Sequence, residues 1–432
     1  MSEDQPLRLA YLSYRSKPTV GGQGIYTRHL TKAMVDLGHT VEVFSGQPYP
    51  VLDDRITLTK LPSLDIFNDL YPGRFPAYWE FKDLADVAEA LQFSTGAFSE
   101  PMAFTLRAWK ALKPRTAEFD IVHDNQSLGY GMLAINKFLP VLTTLHHPIT
   151  VDRRLELEAA PNWRKRWSLR RWYSFVEMQA RVARRMPRIV VVSENSIDDI
   201  HNDMGVARDN MRLVHVGVDP DLFKPDPSVG RKPNQLITTA SADAEMKGLK
   251  FLLEAMAKLR AEGRDINLTL IGRAKPGGPS DKLIKELDLA PHIEFVTGVP
   301  DERIVELYSE SEVAVVPSLY EGFSLPAVEA MASGTALVAT TGGALKEVTG
   351  THGETVLQCE PGDADDLAAK LRIALDDPEL RARIGAAGRE RVSELYTWRQ
   401  TAIRTAEQYR EVIRLRKHHI AQAQHEIQRA TA

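Results

Sequence analysis

The sequence predicts an α/β protein of two doubly wound domains facing across a cleft, and three observations predict it. Short apolar strand patterns alternate with helical stripes from residue 7 to about 192. A stretch dense in proline and glycine, from Val216 to Pro233, then breaks the pattern, and beyond it the alternation restarts. At 432 residues, with 43% apolar and 26% charged residues, the chain has the length and balance for two separate cores and is not a disordered chain. The formal charge of −4, from 54 Lys and Arg against 58 Asp and Glu, gives no overall field to hold nucleic acid. Cys359 is the one cysteine, which excludes intrachain disulfides and a cysteine-built zinc cluster. No apolar run approaches a membrane span. The polar start, Met1–Pro6, runs straight into a strand pattern rather than a secretory signal, so a cytoplasmic protein is expected.

Leu7–Ser13 reads as the first strand, followed by a loop carrying Gly21, Gly22 and Gly24. Ile25, Leu30, Ala33, Met34 and Leu37 form one helical stripe that stops at Gly38, and Thr40–Ser45 gives the next strand. Strand, helix and strand with short links make a parallel crossover unit. Further strands are expected at Ile121–His123, Val141–Leu145 and Ile189–Val192, each short and apolar as when helices cover both faces of a sheet. After the connector, strands are expected at Leu236–Thr239, Leu268–Ile271, Ile293–Val296, Val313–Val316 and Ala336–Ala339. Helices fall at Lys250–Glu262, Ser280–Leu287, Asp301–Ser309 and Pro326–Ala332. The final segment, Trp398–Ala432, reads as one long helix whose stripe of Ile403, Ala406, Tyr409, Val412 and Ile413 must dock on something. These signals set the expected domains at 1–216, joined by 398–432, and 217–397.

Four groups of residues are candidates for chemistry. Pro317–Ala330 follows a strand and opens a helix, with Pro326 placed for the first helical position. Free amides near Phe323, Ser324 and Leu325 would then lie at the carboxyl end of a sheet, where ligands bind in open α/β domains and where phosphate is favoured. Glu321 and Glu329 frame that loop, and an ionised carboxylate can accept two hydrogen bonds from a sugar diol. Lys247, between a strand and a helix, can supply a point charge to a phosphate. Gly342-Gly343, before a helix holding Glu347, repeats the same strand–loop–helix geometry. His146 and His147 end the strand Val141–Leu145, and adjacent histidines on extended chain point to opposite faces, so they form no metal pair by themselves. Each of these residues also has an ordinary reading: a solvated lysine, a glutamate facing a helix dipole, a structural histidine.

Together the motifs resemble the retaining glycosyltransferases of family 4, the GT-B group, from Leu7 to about Val412. The most specific part is Glu321–Glu329, similar to that family's Glu-x7-Glu motif. Gly21-Gly22, Leu37–Val41, Val216–Phe223, Lys247–Leu249 and Gly342–Glu347 add to it in the expected order. The resemblance implies a nucleotide-diphosphate sugar donor (UDP- or GDP-linked) in the second domain, an acceptor hydroxyl in the first, transfer of a hexosyl group with retention, and no metal or other cofactor. It implies that Glu329 holds the ribose, that Glu321 and the amides of Gly322–Leu325 hold the sugar and its phosphate, and that Lys247 grips the diphosphate with Gly22 closing over it. Val299 would edge the base, and His146 would contact the donor sugar near its reacting carbon. Where the family carries an arginine five residues before the lysine this chain has Ala242, so another cation, Arg273 or an arginine of the first domain, must serve, or the donor is held less tightly. Asp219-Pro220-Asp221 and Asp363-Ala364-Asp365 read as turn or capping residues, not as a metal-gripping pair.

Other functions on the same pattern are a phosphorylase or sucrose-synthase-like enzyme, and a non-catalytic binder of sugar nucleotides or glycans on a decayed transferase scaffold. A nicotinamide dehydrogenase fits poorly, because no Gly-x-Gly-x-x-Gly follows a strand. The segment Arg153–Arg188 carries eleven Lys and Arg against three Glu, +8 where the rest of the chain sums to −12. Trp163, Trp167, Trp172, Tyr173 and Phe175 interleave with these charges. Such a helix either turns its aromatics to the core or lies on an anionic surface, so 153–188 is the segment that would carry a lipid-linked or other anionic acceptor, or bring the protein to the inner face of the membrane.

Overall fold

A computed structural model describes residues 5–16, 22–68, 73–158, 160–240 and 244–431. The chain divides into two units, Met1–Val192 with Ser196–Val214 and Thr401–Ala432, and Ser193–Asn195 with His215–Gln400. In the first, β1 (Arg8–Ser13), α1 (Gly22–Asp36), β2 (Thr40–Ser45), β3 (Thr57–Lys60), α2 (Leu84–Ser94), α3 (Glu100–Leu112), β4 (Ile121–Asn125) and α4 (Tyr130–Ile135) follow in order. β5 (Val141–Leu145), α5 (Thr150–Glu158), α6 (Trp163–Trp172), α7 (Ser174–Ala183), β6 (Ile189–Val191), α8 (Glu194–Met204) and β7 (Met211–Leu213) complete it. Its seven strands lie in the order β3-β2-β1-β4-β5-β6-β7, all parallel. Every residue of β4 and β5 is buried, as two helical layers require of a central strand.

The second unit holds β8 (Gln235–Thr239), α9 (Leu249–Ala261), β9 (Asn267–Ile271), α10 (Pro279–Glu286), β10 (Ile293–Val296), α11 (Asp301–Glu310) and β11 (Val313–Val316). There follow α12 (Leu325–Ala332), β12 (Ala336–Thr340), α13 (Leu345–Thr349), β13 (Leu357–Cys359), α14 (Ala364–Asp376) and α15 (Pro378–Leu395). Six parallel strands run β10-β9-β8-β11-β12-β13. Both sheets therefore share one order, in which the first strand has its sequence successor on one side and a later strand on the other. That reversal marks the doubly wound fold and leaves a crevice at the carboxyl ends of the two central strands. Leu252, Leu253, Met256, Leu268, Val313, Val338 and Leu371 anchor the core of this unit. Three strands escaped the sequence reading: β3, with no buried residue, and the three-residue β7 and β13.

The long helix α16 (Trp398–Thr431) answers where its stripe docks. Ala406, Tyr409, Val412 and Ile413 are buried, with Ala402 in place of the only partly buried Ile403, and the Tyr409 hydroxyl meets Nδ1 of His123 on β4 at 2.6 Å. Arg416 donates to the carbonyls of Asn136 and Lys137 at 2.6 and 2.7 Å. His123 is fully buried, and burial pushes it down to about 3, so it stays neutral and needs both ring nitrogens paired. Its Nε2 meets Thr144 Oγ1 at 2.9 Å. Tyr409→Phe removes one of the two partners while keeping the ring, and should lower the unfolding free energy by about 1–2 kcal/mol in urea titrations.

Candidate functional site

In the second unit the reversal lies between β8 and β11, and the predicted residues gather there. Lys247 sits on a short 3-10 turn, Glu245–Lys247, which ends at Gly248 with φ +63°. A Cβ on Gly248 would lie 2.0 Å from the Pro317 carbonyl oxygen, so only glycine lets the turn press against the loop after β11. The Leu319 amide then donates to the Met246 carbonyl at 2.8 Å. Across this seam Lys247 Nζ pairs with Glu321 Oε1 at 2.8 Å, and Ser318 Oγ donates to the same oxygen at 2.7 Å. On the other side the pair Gly342-Gly343 closes in: a Cβ on Gly343 would stand 2.4 Å from the Glu321 carbonyl oxygen, which accepts the Ala344 amide at 2.8 Å. Lys247, Glu321 and the second glycine pair are thus brought together by backbone packing at the switch point.

The loop ends in an unusual cap. Ser324 has φ 89° and ψ 85°, a left-handed conformation that costs a non-glycine residue of order 1–3 kcal/mol. Its hydroxyl caps nothing: Oγ is buried with no hydrogen-bond partner. Among the described residues no acceptor takes the amides of Phe323, Ser324 or Leu325. The Phe323 ring is buried, 5.5 Å from Tyr396, which fixes the backbone that carries these amides. Because α12 begins at Leu325, Pro326 occupies the second helical position rather than the expected first, and Glu329 falls in the second turn rather than the first. The Glu329 carboxyl is partly buried and makes no side-chain hydrogen bond among the described residues; burial, with Asp301 adding to it, pushes it up to about 7. Val299 follows β10 beyond Gly298, and Arg273 follows β9, exposed and without an ion pair among the described residues. Ala242 lies outside the described residues.

The corresponding reversal in the first unit lies between β1 and β4. Gly22 opens α1, while Gly21 lies outside the described residues. His146 follows β5 and is held by two residues that the sequence reading missed. Asn125 Oδ1 lies 2.8 Å from His146 Nε2, while Asn125 Nδ2 donates to the Gln23 carbonyl and to Thr27 Oγ1, at 3.3 and 3.1 Å. Those two donations leave Oδ1 as the acceptor, so Nε2 carries the proton and Nδ1 presents a lone pair. Gln126, at φ 56°, accepts the His146 amide at 2.7 Å and donates to the His147 carbonyl at 3.0 Å. Burial, with His147 close by, pushes His146 down to about 3, so it is a neutral imidazole near pH 7. The two histidines part company as expected of extended chain: His147 is more exposed and faces Asp152 at 3.3 Å. The available signal was the polar run Asp124-Asn125-Gln126-Ser127 directly behind an apolar strand.

Asp219 accepts the amides of Asp221 and Leu222, and Asp363 caps α14 through the amides of Asp365 and Asp366. Both aspartate motifs are therefore turn and cap residues. Among the described residues no cluster of three His, Cys, Asp or Glu has metal-holding geometry, and no helix is long and apolar enough to cross a membrane. Asn125→Asp should place a carboxylate against His146 and raise the ring's titration from about 3 by at least a unit, read by imidazole NMR.

Residues 20–222 match the family described as Glycosyltransferase Family 4, and residues 223–391 match Glycosyl transferases group 1. The chain is 48% identical over 409 residues to MMP alpha-(1->4)-mannosyltransferase of Mycolicibacterium hassiacum, covering 94% of this chain and 98% of that protein. It is 26% identical to a glycogen synthase of Mycobacterium tuberculosis, covering 93% and 94% of the two chains. Two solved structures share the fold. Sucrose-phosphate synthase of Thermosynechococcus elongatus has a TM-score of 0.71 at 22% identity over 95% of this chain and 100% of its own. HepE of Anabaena, solved with UDP and glucose, has a TM-score of 0.68 at 17% identity over 94% of this chain and 100% of its own. Two parallel doubly wound sheets of one strand order, and a relative this similar along its whole length, make the chain a member of the GT-B glycosyltransferases.

Proposed function

We propose that this glycosyltransferase is a retaining, metal-independent enzyme of the family 4 type, moving a mannosyl group from a UDP- or GDP-linked donor to a saccharide hydroxyl. The donor is taken by the second unit and the acceptor by the first. The observation that carries the reading is the cap of α12, where a left-handed Ser324, its buried unpartnered hydroxyl and three unclaimed amides stand beside the Lys247–Glu321 pair. Amides held in place without acceptors suit an anionic leaving group, because they need little reorganisation as charge develops. The mannosyl assignment is supported by the name of the 48% identical relative.

In the proposed reaction the bond from the sugar's anomeric carbon to the diphosphate breaks, and its electron pair goes to the phosphate oxygen. The acceptor oxygen bonds that carbon from the same face, and its proton passes to the departing diphosphate. Lys247 leaves Glu321 for the diphosphate, which frees Glu321 for the sugar hydroxyls; Arg273 is the cation that serves in place of the residue at Ala242. Glu329, as the second carboxylate of Glu-x7-Glu, accepts from the ribose diol, and Val299 borders the base. In the first unit the neutral His146 offers Nδ1 to a sugar hydroxyl, and Gly22 leaves room at the start of α1.

A screen of UDP- and GDP-sugars by mass spectrometry, run in EDTA with the product anomer read by NMR, should show transfer with retention from one mannosyl donor. An inverted product, or activity abolished by EDTA, would overturn the reading. In the same assay Lys247→Ala should lower kcat by about a hundredfold or more, as loss of one preorganised charge contact does.

Glu329 gives a second test. Its carboxyl must ionise to accept two hydroxyls, so donor binding should strengthen as pH rises through about 7 and should release a proton when measured below that value. Because the folded-state value is raised, the same group destabilises the fold as pH climbs from the ordinary carboxyl range to about 7. Glu329→Gln should therefore lose donor affinity and its pH dependence, yet gain of order 2 kcal/mol in stability at pH 8. Calorimetry in buffers of different ionisation enthalpy, with denaturant melts, reads both effects.

A further inference from the structure

The structure divides the basic segment's aromatics. Trp172 packs on Phe67 and Phe98 at 5.5 and 5.3 Å, and Tyr173 and Phe175 are buried, so this part serves the core. Trp163 and Trp167 do not: they are 74% and 65% exposed and stand one turn apart on α6. Leu169 is the one residue of α6 that is fully buried. At 100° per residue Trp163, Trp167 and Arg170 lie within an arc of about 60°, turned roughly 100–160° away from Leu169, with Arg166 on one side and Arg164 and Arg171 on the other. Among the described residues no carboxylate pairs with Arg154, Arg164, Lys165, Arg166 or Arg170, whereas ion pairs are frequent elsewhere in the chain.

Between α5, α6 and α8 lies an open cavity of about 420 Å³. Arg153, Arg154, Arg166 and Arg170 line it, against Glu158 and Asp203. Arg153 is partly engaged by Glu177 at 2.8 Å, which leaves three arginines on the cavity uncommitted. Guanidinium forks converging on an open cavity of that size suit phosphate.

A neighbouring helix adds apolar surface. α2 is inverted: Asp86 and Glu89 point inward to Arg107, the second at 2.5 Å, while Leu84, Val87 and Leu91 are exposed on its outer face. Its carboxyl end is tied to α6, since Arg171 Nε donates to the Thr95 carbonyl at 3.1 Å and the Phe98 amide donates to the Trp172 carbonyl at 3.4 Å.

We propose that α5, α6 and the outer face of α2 form a docking site for an anionic phospholipid surface, with headgroup phosphates in the arginine cavity and Trp163 and Trp167 at the headgroup level. Charge complementarity selects this occupant: α5 and α6 carry seven Lys and Arg against Asp152, Glu156 and Glu158 in a chain whose formal charge is −4, so the attraction is local and not a property of net charge. Exposed tryptophans ringed by arginines supply the amphipathic half of the interaction. The proposal does not depend on which donor or acceptor the enzyme uses.

The test is sedimentation of the full-length protein with vesicles of phosphatidylcholine alone and of phosphatidylcholine mixed equally with phosphatidylglycerol, and titration with inorganic phosphate alone. Binding to the anionic vesicles only is expected, weakened roughly fivefold for each of Arg166→Gln and Arg170→Gln, as each cation near a charged surface contributes about that factor. Trp163→Ser with Trp167→Ser should remove the binding that survives raised salt. These side chains are exposed, and thermal melts will show that the variants fold. Equal partitioning to both vesicles, or none to either, overturns the proposal. So does phosphate titrating into the cavity while vesicles leave the protein in solution, which would assign the arginines to a soluble phosphorylated compound.

Discussion

Everything of chemical interest in each unit is set by one topological constraint. A parallel sheet needs a crossover after every strand, and when the strand order reverses beside the first strand, two neighbouring strands send their chains in opposite directions. The gap between those departing chains cannot be filled by either. In the second unit the gap lies between β8 and β11, and the two loops are drawn over it by Gly248 against Pro317 and by Gly343 against Glu321. The Lys247–Glu321 pair is the electrostatic expression of that closure. A partly buried pair of this kind contributes little net stability by itself, because desolvation offsets the attraction. In the proposed reaction the pair opens: Lys247 turns to the diphosphate, while Glu321 keeps the Ser318 hydroxyl and takes sugar hydroxyls in place of the ammonium.

The neighbouring features work against stability and share one place. Ser324 is held left-handed with a buried unpartnered hydroxyl, three amides lack acceptors, and Glu329 is kept above the ordinary carboxyl range. Each costs the free protein something, and none is required by the fold, since α12 would begin with an ordinary serine cap at no penalty. The core of the second unit offsets these costs, with Val313, Val315, Val338 and the apolar face of α9 buried beneath them. Strain concentrated on one loop above a well-packed sheet is what the proposed donor would repay on binding.

How much of this was legible from the residues follows from the same physics. Val141–Leu145 and Val313–Val316 were read end to end because strands covered on both faces must be continuous apolar runs. The edge strand β3 carries Thr57-Leu58-Thr59-Lys60, half exposed and without such a run, and so left no mark. The start of α12 was misjudged by a residue because proline fits either of the first two helical positions, and the left-handed Ser324 before it has no signature in residue type. The partners of His146 were hidden for a different reason. Asn125 reaches the ring because β4 pairs with β5 in a register that sets Asn125 beside Thr144, and register between strands is a property of the assembled sheet. The charge excess of 153–188 was plain in the sequence, but which of its aromatics face outward depends on how α6 is rolled, and Leu169 alone decides that.

The C-terminal helix shows how far apart in sequence one local arrangement can be built. Tyr409 on α16 bonds His123 at 2.6 Å, His123 bonds Thr144 at 2.9 Å, and Tyr26 of α1 reaches Thr144 at 3.4 Å. The Tyr26 ring then stands edge-on to His146 at 4.6 Å. A buried neutral histidine with two hydroxyl partners is a rigid spacer, because losing either bond strands a polar nitrogen in a dry core. The C-terminal helix therefore fixes the floor under the imidazole through His123, Thr144 and Tyr26 in turn. This gives a physical reason for a stripe of apolar residues to carry, 286 positions after His123, a tyrosine and not another aliphatic side chain. A leucine would fill the volume, but it would leave Nδ1 of His123 unpaired and the chain of contacts to His146 without its anchor.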